Sequence, residues 1–257
     1  MLIKKIKDKL GDSISIDKNS ITVYYAPYAL LELENQQVLL DVKPVSLMSE
    51  IHKRKNKSSG SFMTGEYQAC TALHELAKNI FVLKCPFDAN VELEEDGRIK
   101  STNRAGWFIE RNSTINENKC VDIDLSYLFF CDESLDMSFT PPYMHQTQQH
   151  KYGFIASVKY NIGYWFRPTI SVFQLWDNVN EIKINEGEPF AYLHFHTNKK
   201  IKLKEFKLTA EVLNLTNTCV RHKYIIPFQS LEKLYDRFLR TGMRKRVLAE
   251  IKKNTIE

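Results

Sequence analysis

The chain has 257 residues, 43% of them hydrophobic and 26% charged, the balance of a globular protein able to bury one large core or two small ones. It offers no run of the roughly 18 apolar residues that a membrane-spanning helix needs, and its opening, MLIKKIKDKLGDSISIDKNS, places lysines where a secretory leader would place an apolar stretch. The net charge of +5 comes from one place: Arg221 to Glu257 carries ten Lys and Arg against four Asp and Glu, and the remainder is nearly balanced. A cytoplasmic protein with no membrane partner is expected, in the host cytoplasm if the chain is viral.

Three segments are expected in one compact unit: an N-terminal β-hairpin region with a basic loop (1–60), a β-rich core (61–228) and a basic C-terminal helix (229–257). Ser15 to Tyr25 and Leu30 to Val45 alternate apolar and polar residues, the second around a polar tip at Glu34 to Gln37, which predicts strands and a hairpin. A basic loop follows, His52 to Ser61 (HKRKNKSSGS). Tyr67 to Ala77 then places Cys70, Leu73, His74 and Ala77 at helical spacing. Phe81 to Cys85 reads as an apolar strand, and VELEEDGRIKS as a hairpin turning at Asp96-Gly97.

Cys120 to Cys131 (CVDIDLSYLFFC) begins in alternation and ends fully apolar, as a single strand entering a core would. The segment DESLDMSFTPPYMHQTQQHKYG reads as a loop. Strands are predicted at Phe154 to Tyr160, Thr169 to Trp176, Glu181 to Ile184, Phe190 to Thr197 and Lys200 to Leu208. Their connections are too short for crossover helices, so antiparallel pairing is expected. Ser230 can cap a helix whose residues Leu231, Leu234, Tyr235, Phe238 and Leu239 form one apolar stripe, which Gly242 interrupts and Met243, Val247, Leu248 and Ile251 continue. The expected fold is α+β and β-rich, an antiparallel β-sandwich, jelly-roll or β-clip-like core with a C-terminal amphipathic helix.

The five cysteines, Cys70, Cys85, Cys120, Cys131 and Cys219, are scattered without CxxC or zinc-ligand spacing, so they read as reduced and mostly buried thiols. Phosphate-loop, nucleophile-elbow and HExxH motifs are absent from the sequence. The run ISVFQLWDNVNEIKINEGEPFAYLHF resembles the strand, turn, strand segment of β-clip proteins such as dUTPases and dCTP deaminases. The chain is also similar to uncharacterised proteins of tailed bacteriophages that combine a CPF segment, here Cys85-Pro86-Phe87-Asp88, with a WFRP segment, here Trp165 to Pro168. The first resemblance implies a β-clip or jelly-roll geometry without dUTPase chemistry, because Tyr192 stands where those enzymes have a glutamine and the stretch Asn161 to Pro168 has no acid. The second implies no activity.

His194-Phe-His196 lies in a predicted strand, where Phe190, Tyr192, His194 and His196 are expected to share one face. Three functions of different classes follow. The first is a non-enzymatic, phage-type accessory protein that binds a protein partner or small ligand through Tyr143, Tyr164, Trp165, Arg167, Trp176 and Tyr192, with His194 and His196. The second is a cupin-like enzyme holding Fe, Mn or Zn on His194 and His196, with further ligands sought at His145 and His150. The third is a nucleic-acid-binding protein using Arg244, Lys245 and Arg246. The first requires no missing residue, whereas the cupin glutamate is absent after Thr197 and Lys199 and Lys200 oppose a dication. No cofactor is therefore expected.

Overall fold

The computed structural model describes residues 19–28, 42–55, 70–94, 99–101, 109–115, 118–123, 127–169, 171–225 and 229–256. The expected hairpin tip at Glu34 to Gln37, residues 56–61 of the basic loop and the turn at Asp96-Gly97 lie outside them. The first half of the chain runs β1 (Ser20–Pro27), β2 (Val45–Ser46), α1 (Leu47–Lys55), α2 (Thr71–Ala77), β3 (Ile80–Lys84), β4 (Ala89–Leu93), β5 (Ile99–Ser101), β6 (Ile109–Ile115) and β7 (Asn118–Ile123). The second half runs β8 (Tyr127–Cys131), β9 (Asp136–Thr140), β10 (Gly153–Ile155), β11 (Val158–Asn161), β12 (Ser171–Leu175), β13 (Glu181–Ile184), β14 (Pro189–Phe195), β15 (Lys200–Glu205), α3 (Ala210–Ile225), α4 (Leu231–Arg240) and α5 (Met243–Lys253).

Among the described residues the strands form four open sheets, ordered β15-β1-β8, β10-β12-β7-β6, β11-β9-β14-β3-β2 and β13-β4-β5. The expected β-rich α+β class holds. Antiparallel pairing joins β7 with β12, β10 with β12, β9 with β11 and β9 with β14, as expected. The expected strand Lys200 to Leu208 departs from this: β15 runs parallel to β1, from Ser20 beside Lys200 to Tyr25 beside Glu205.

All four sheets contribute to one apolar core, in which Val23, Leu83, Val91, Val121, Phe129, Phe139, Phe173, Ile182, Leu193 and Phe195 are buried. A second cluster lies on the other side of β1 and β8, where Ala26, Leu128 and Phe130 meet Val212 of α3, Leu234 and Phe238 of α4, and Val247 and Ile251 of α5. β8 is therefore buried at every position, YLFFC, because its two faces belong to two cores. The run read as one strand from Cys120 to Cys131 is two: β7 pairs with β6 and β12, and β8 pairs with β1 in another sheet. Likewise the expected strand Phe154 to Tyr160 divides into β10 and β11, which join different sheets.

The structure adds elements to the expected set. α1 ends at Lys55, so His52 to Lys55 of the expected basic loop are helical, and β6 forms at Ile109–Ile115. β9 lies within the segment expected as a loop, and α3 occupies AEVLNLTNTCVRHKYI, whose Asn, Thr and β-branched residues are mediocre helix formers. Burial against the second core supplies what propensity does not. At α4 the local signals hold: Ser230 Oγ accepts from the Lys233 backbone N–H at 3.4 Å, and Gly242, at φ 69°, makes the left-handed link to α5. Gly163 answers a different need, since a Cβ there would lie 1.9 Å from the Glu133 carbonyl oxygen.

The α4 stripe is narrower than expected. Leu234 and Phe238 are buried, but Leu231 and Leu239 are 46% and 39% exposed, because the helix touches the body along one line only. Phe238 meets Phe130 edge to face at 6.1 Å. Phe238→Ala should accordingly cost about 3–5 kcal/mol in urea unfolding, against about 0.5 kcal/mol or less for Leu239→Ala. Equal losses would contradict this placement of the helix.

Candidate functional site

β14 decides which way the histidines point. Its register against β3 shifts between Pro189 and Ala191, a β-bulge that inserts one residue. Phe190 therefore joins Ala191, Leu193 and Phe195 in the main core instead of sharing a face with Tyr192, as strict alternation would require. Tyr192 enters a third cluster with Leu47, Ala77, Ile80 and Val82, under α1 and α2. Beyond the bulge alternation resumes. His194 is half-buried and His196 exposed on the same outer face.

Cross-strand pairing completes that face: His194 stands between Ile80 of β3 and Ser138 of β9, and Ser138 stands beside Lys159 of β11. His196 Nε2 lies 2.6 Å from Ser138 Oγ, and the two imidazoles are 4.3 Å apart between ring centres. Asp136 accepts from Lys159 Nζ at 2.9 Å and from Asn161 Nδ2 at 3.1 Å, and the Lys159 hydrogen bond holds its carboxyl below the usual range. Partial burial, then the neighbouring imidazole, pushes the His194 pKa down; partial burial, then Lys159, does the same to His196, with Asp136 opposing. Both rings are favoured in the neutral form.

At the other end of the strip sits Tyr143, which is 51% exposed while its ring rests edge-on against Tyr192 at 5.0 Å. His145, 4% exposed, bonds the Tyr192 hydroxyl through Nδ1. The loop carrying both residues is fastened to β14 through Gln149 Nε2, which donates to the carbonyls of Pro189 and Phe190 at 2.9 and 3.0 Å.

Two imidazoles make an incomplete metal site. Nε2 of His196 is engaged by Ser138, Lys159 adds a cation beside it, and His145 is committed to Tyr192. Among the described residues no group of three or more His, Cys, Asp or Glu is placed to hold a metal ion. The Ser138 and His196 pair could pass a proton, but Ser138 is only 9% exposed and Asp136, the nearby carboxylate, is bound to Lys159.

The remaining candidates lie elsewhere. Trp176, 47% exposed, packs on Phe154 and donates through Nε1 to the backbone carbonyl of His150 at 2.9 Å, which fastens that loop to β12. Trp165 is buried, with the Arg167 guanidinium 4.9 Å over its ring and Tyr235 at 6.0 Å. Tyr164 meets Tyr235 and Arg244, and Arg244 also donates from Nε to the Gly163 carbonyl at 3.0 Å and to the Asp132 carbonyl. Arg244 thus ties α5 to the body. Lys245 is exposed, and Arg246 lies 3.8 Å from Glu211 of α3. The expected binding set therefore divides between three places, with Trp165 and Tyr192 both inside cores.

Ser138, Lys159 and Asp136 were not singled out from the sequence. The signal was present in Asp136-Met-Ser-Phe-Thr140, where alternating Met137 and Phe139 enter the core and send Ser138 outward.

The neutral histidines give the face a pH dependence. As pH falls below about 6.5, the ordinary imidazole value, the unfolded chain takes up protons before the folded chain does, so stability declines until the lowered folded pKa values are passed. The thermal midpoint should drop between about pH 7.5 and 5.5, and by less in a His194→Gln, His196→Gln variant. The same drop in both proteins would contradict the assignment. In comparisons with known proteins, no family model, no curated protein and no solved structure matches the chain.

Proposed function

We propose that this chain is a non-enzymatic, phage-type accessory protein that binds a protein partner through the outer face of the β11-β9-β14-β3-β2 sheet. The observation that carries the reading is Tyr143, half exposed yet held edge-on by buried Tyr192. An aromatic side chain already fixed in place loses little conformational freedom on binding, which is the quality of an interface anchor. His194, His196 and Ser138 continue the strip with uncharged hydrogen-bonding groups, and the Asp136 and Lys159 pair borders it. A polar rim around an aromatic anchor is the arrangement of a protein contact.

The cleft lined by Trp165, Cys219, Leu234 and Phe238 does not favour a small ligand, since its volume is about 10 Å³, the room of roughly one water. The CPF and WFRP segments, which carry the resemblance to phage proteins, serve the fold. Cys85 is buried with its Sγ 3.1 Å from the Phe87 carbonyl, Asp88 accepts from the Glu186 backbone N–H at 2.8 Å, and Pro168 bridges to Leu128. These are turn and packing residues.

The test is affinity capture from the producing cells with the full chain and with a Tyr143→Ser, His196→Ala variant that keeps the same circular dichroism. A specific partner should bind the wild type and lose about 30-fold or more in affinity to the variant, the loss of a hot-spot anchor worth about 2 kcal/mol. Capture of the same proteins at equal strength by both chains would contradict the proposal. Stoichiometric Fe, Mn or Zn, lost in a His194→Ala, His196→Ala variant, would put the metalloenzyme in its place.

A further inference from the structure

β15 reads Lys200-Ile-Lys-Leu-Lys-Glu205, and its parity is fixed from inside. Ile201 is buried in the main core and Leu203 packs against it, so Lys200, Lys202 and Lys204 turn to the opposite face, where all three are exposed. The parallel register with β1 sets Ser20 beside Lys200, Thr22 beside Lys202 and Tyr24 beside Lys204. A row of ammonium groups therefore runs along a row of hydroxyl-bearing residues that ends at Tyr24, where the strand packs against the second core. The acid of the strand, Glu205, faces the other way and is held by Tyr25 at 3.3 Å and Lys43 at 2.7 Å.

The basic end of the chain converges on the same edge. The Lys207 backbone N–H donates to the Asn254 carbonyl at 2.8 Å and the Ile256 N–H to the Glu205 carbonyl at 2.9 Å, and Phe206 bridges to Thr255. These bonds bring the last turn of α5, with Lys252 and Lys253, to the end of β15. Both of those lysines have acidic neighbours, Asp132 at 3.4 Å and Glu250 at 3.7 Å, yet remain 51% and 74% exposed.

We propose that the outer face of β1 and β15 is a docking surface for a single nucleic-acid strand, gripped through its phosphates. Alternate residues of a strand repeat every 7 Å or so, so the three lysines place evenly spaced charges along a straight line, as a linear polyanion requires. Lysines with adjacent Ser, Thr and Tyr are a phosphate-contacting set, which fixes the strand without reading its bases. Lysine also guards sheet edges against pairing with other chains. That role concerns the open backbone edge, whereas Lys200, Lys202 and Lys204 stand on the sheet face. The surface is separate from the Tyr143 strip and does not depend on it.

The test is fluorescence anisotropy of a labelled oligothymidylate, longer than the roughly 4–16 nucleotides such a face covers, titrated with the full chain between about 50 and 200 mM salt. Lys200→Gln, Lys202→Gln and Lys204→Gln together should weaken binding at least tenfold at the lowest salt. They should also flatten the slope of log affinity against log salt by about 2, at roughly 0.7 per lost phosphate contact. A Lys245→Gln, Arg246→Gln variant should bind like the wild type. The three strand lysines are exposed, so folding should survive, and Lys202→Gln alone should give a graded loss if the triple variant does not fold. The proposal is overturned if the wild type does not bind at the lowest salt, if the strand variants bind as the wild type does, or if only the α5 variant loses affinity. It is also overturned if polyglutamate competes as well as the oligonucleotide, which would make the face a site for acidic protein.

Discussion

β14 has apolar neighbours on both sides, and that constraint orders the rest of the molecule. Phe190, Ala191, Leu193 and Phe195 must reach the core shared by four sheets, while Tyr192 must reach the cluster beneath α1 and α2. A one-residue slip of register would exchange these environments and push His194 and His196 into the core. The bulge between Pro189 and Ala191 lets two consecutive side chains enter the same core before alternation resumes. From that point outward His194 and His196 are fixed on the open face, and their position is a consequence of packing several residues earlier.

Much of the strand pattern was legible because alternation is a local property. Glu181 to Ile184, Phe190 to Phe195 and Lys200 to Glu205 announce themselves in this way, as does the Ser230 cap. What was not legible depends on distant partners. β1 and β15 pair in parallel across most of the chain, and neither sequence carries a sign of the other. α3 forms because it covers Leu128 and Phe130, although its own residues argue weakly for a helix. The bulge is similarly hidden: Phe190 reads as an outward residue until its neighbours are known.

The candidate site shows the same division. Listing Tyr143, Trp165, Trp176 and Tyr192 as binding residues follows from residue type, but burial separates them, with Trp165 at 6% and Tyr192 at 0% against Tyr143 at 51% and Trp176 at 47%. Buried Tyr192 still matters because it holds Tyr143 from below. The basic C-terminus was legible as charge and not as geometry. Arg244 is consumed in tethering α5 to the Gly163 and Asp132 carbonyls, while the lysines that share a face with one another belong to β15. Sequence proximity placed the charge at one end of the chain, and the fold joined that end to a strand about fifty residues earlier.

Two histidines near β14 have opposite settings: His145 is buried against Tyr192, and His196 is exposed beside Ser138. Acylation of the native protein with diethylpyrocarbonate, mapped by mass spectrometry, reads those settings directly. His196 should be modified early and His145 only after the chain is unfolded. Modification of His145 at the rate of His196 in the native protein would contradict the register of β14, and with it the face built on that strand.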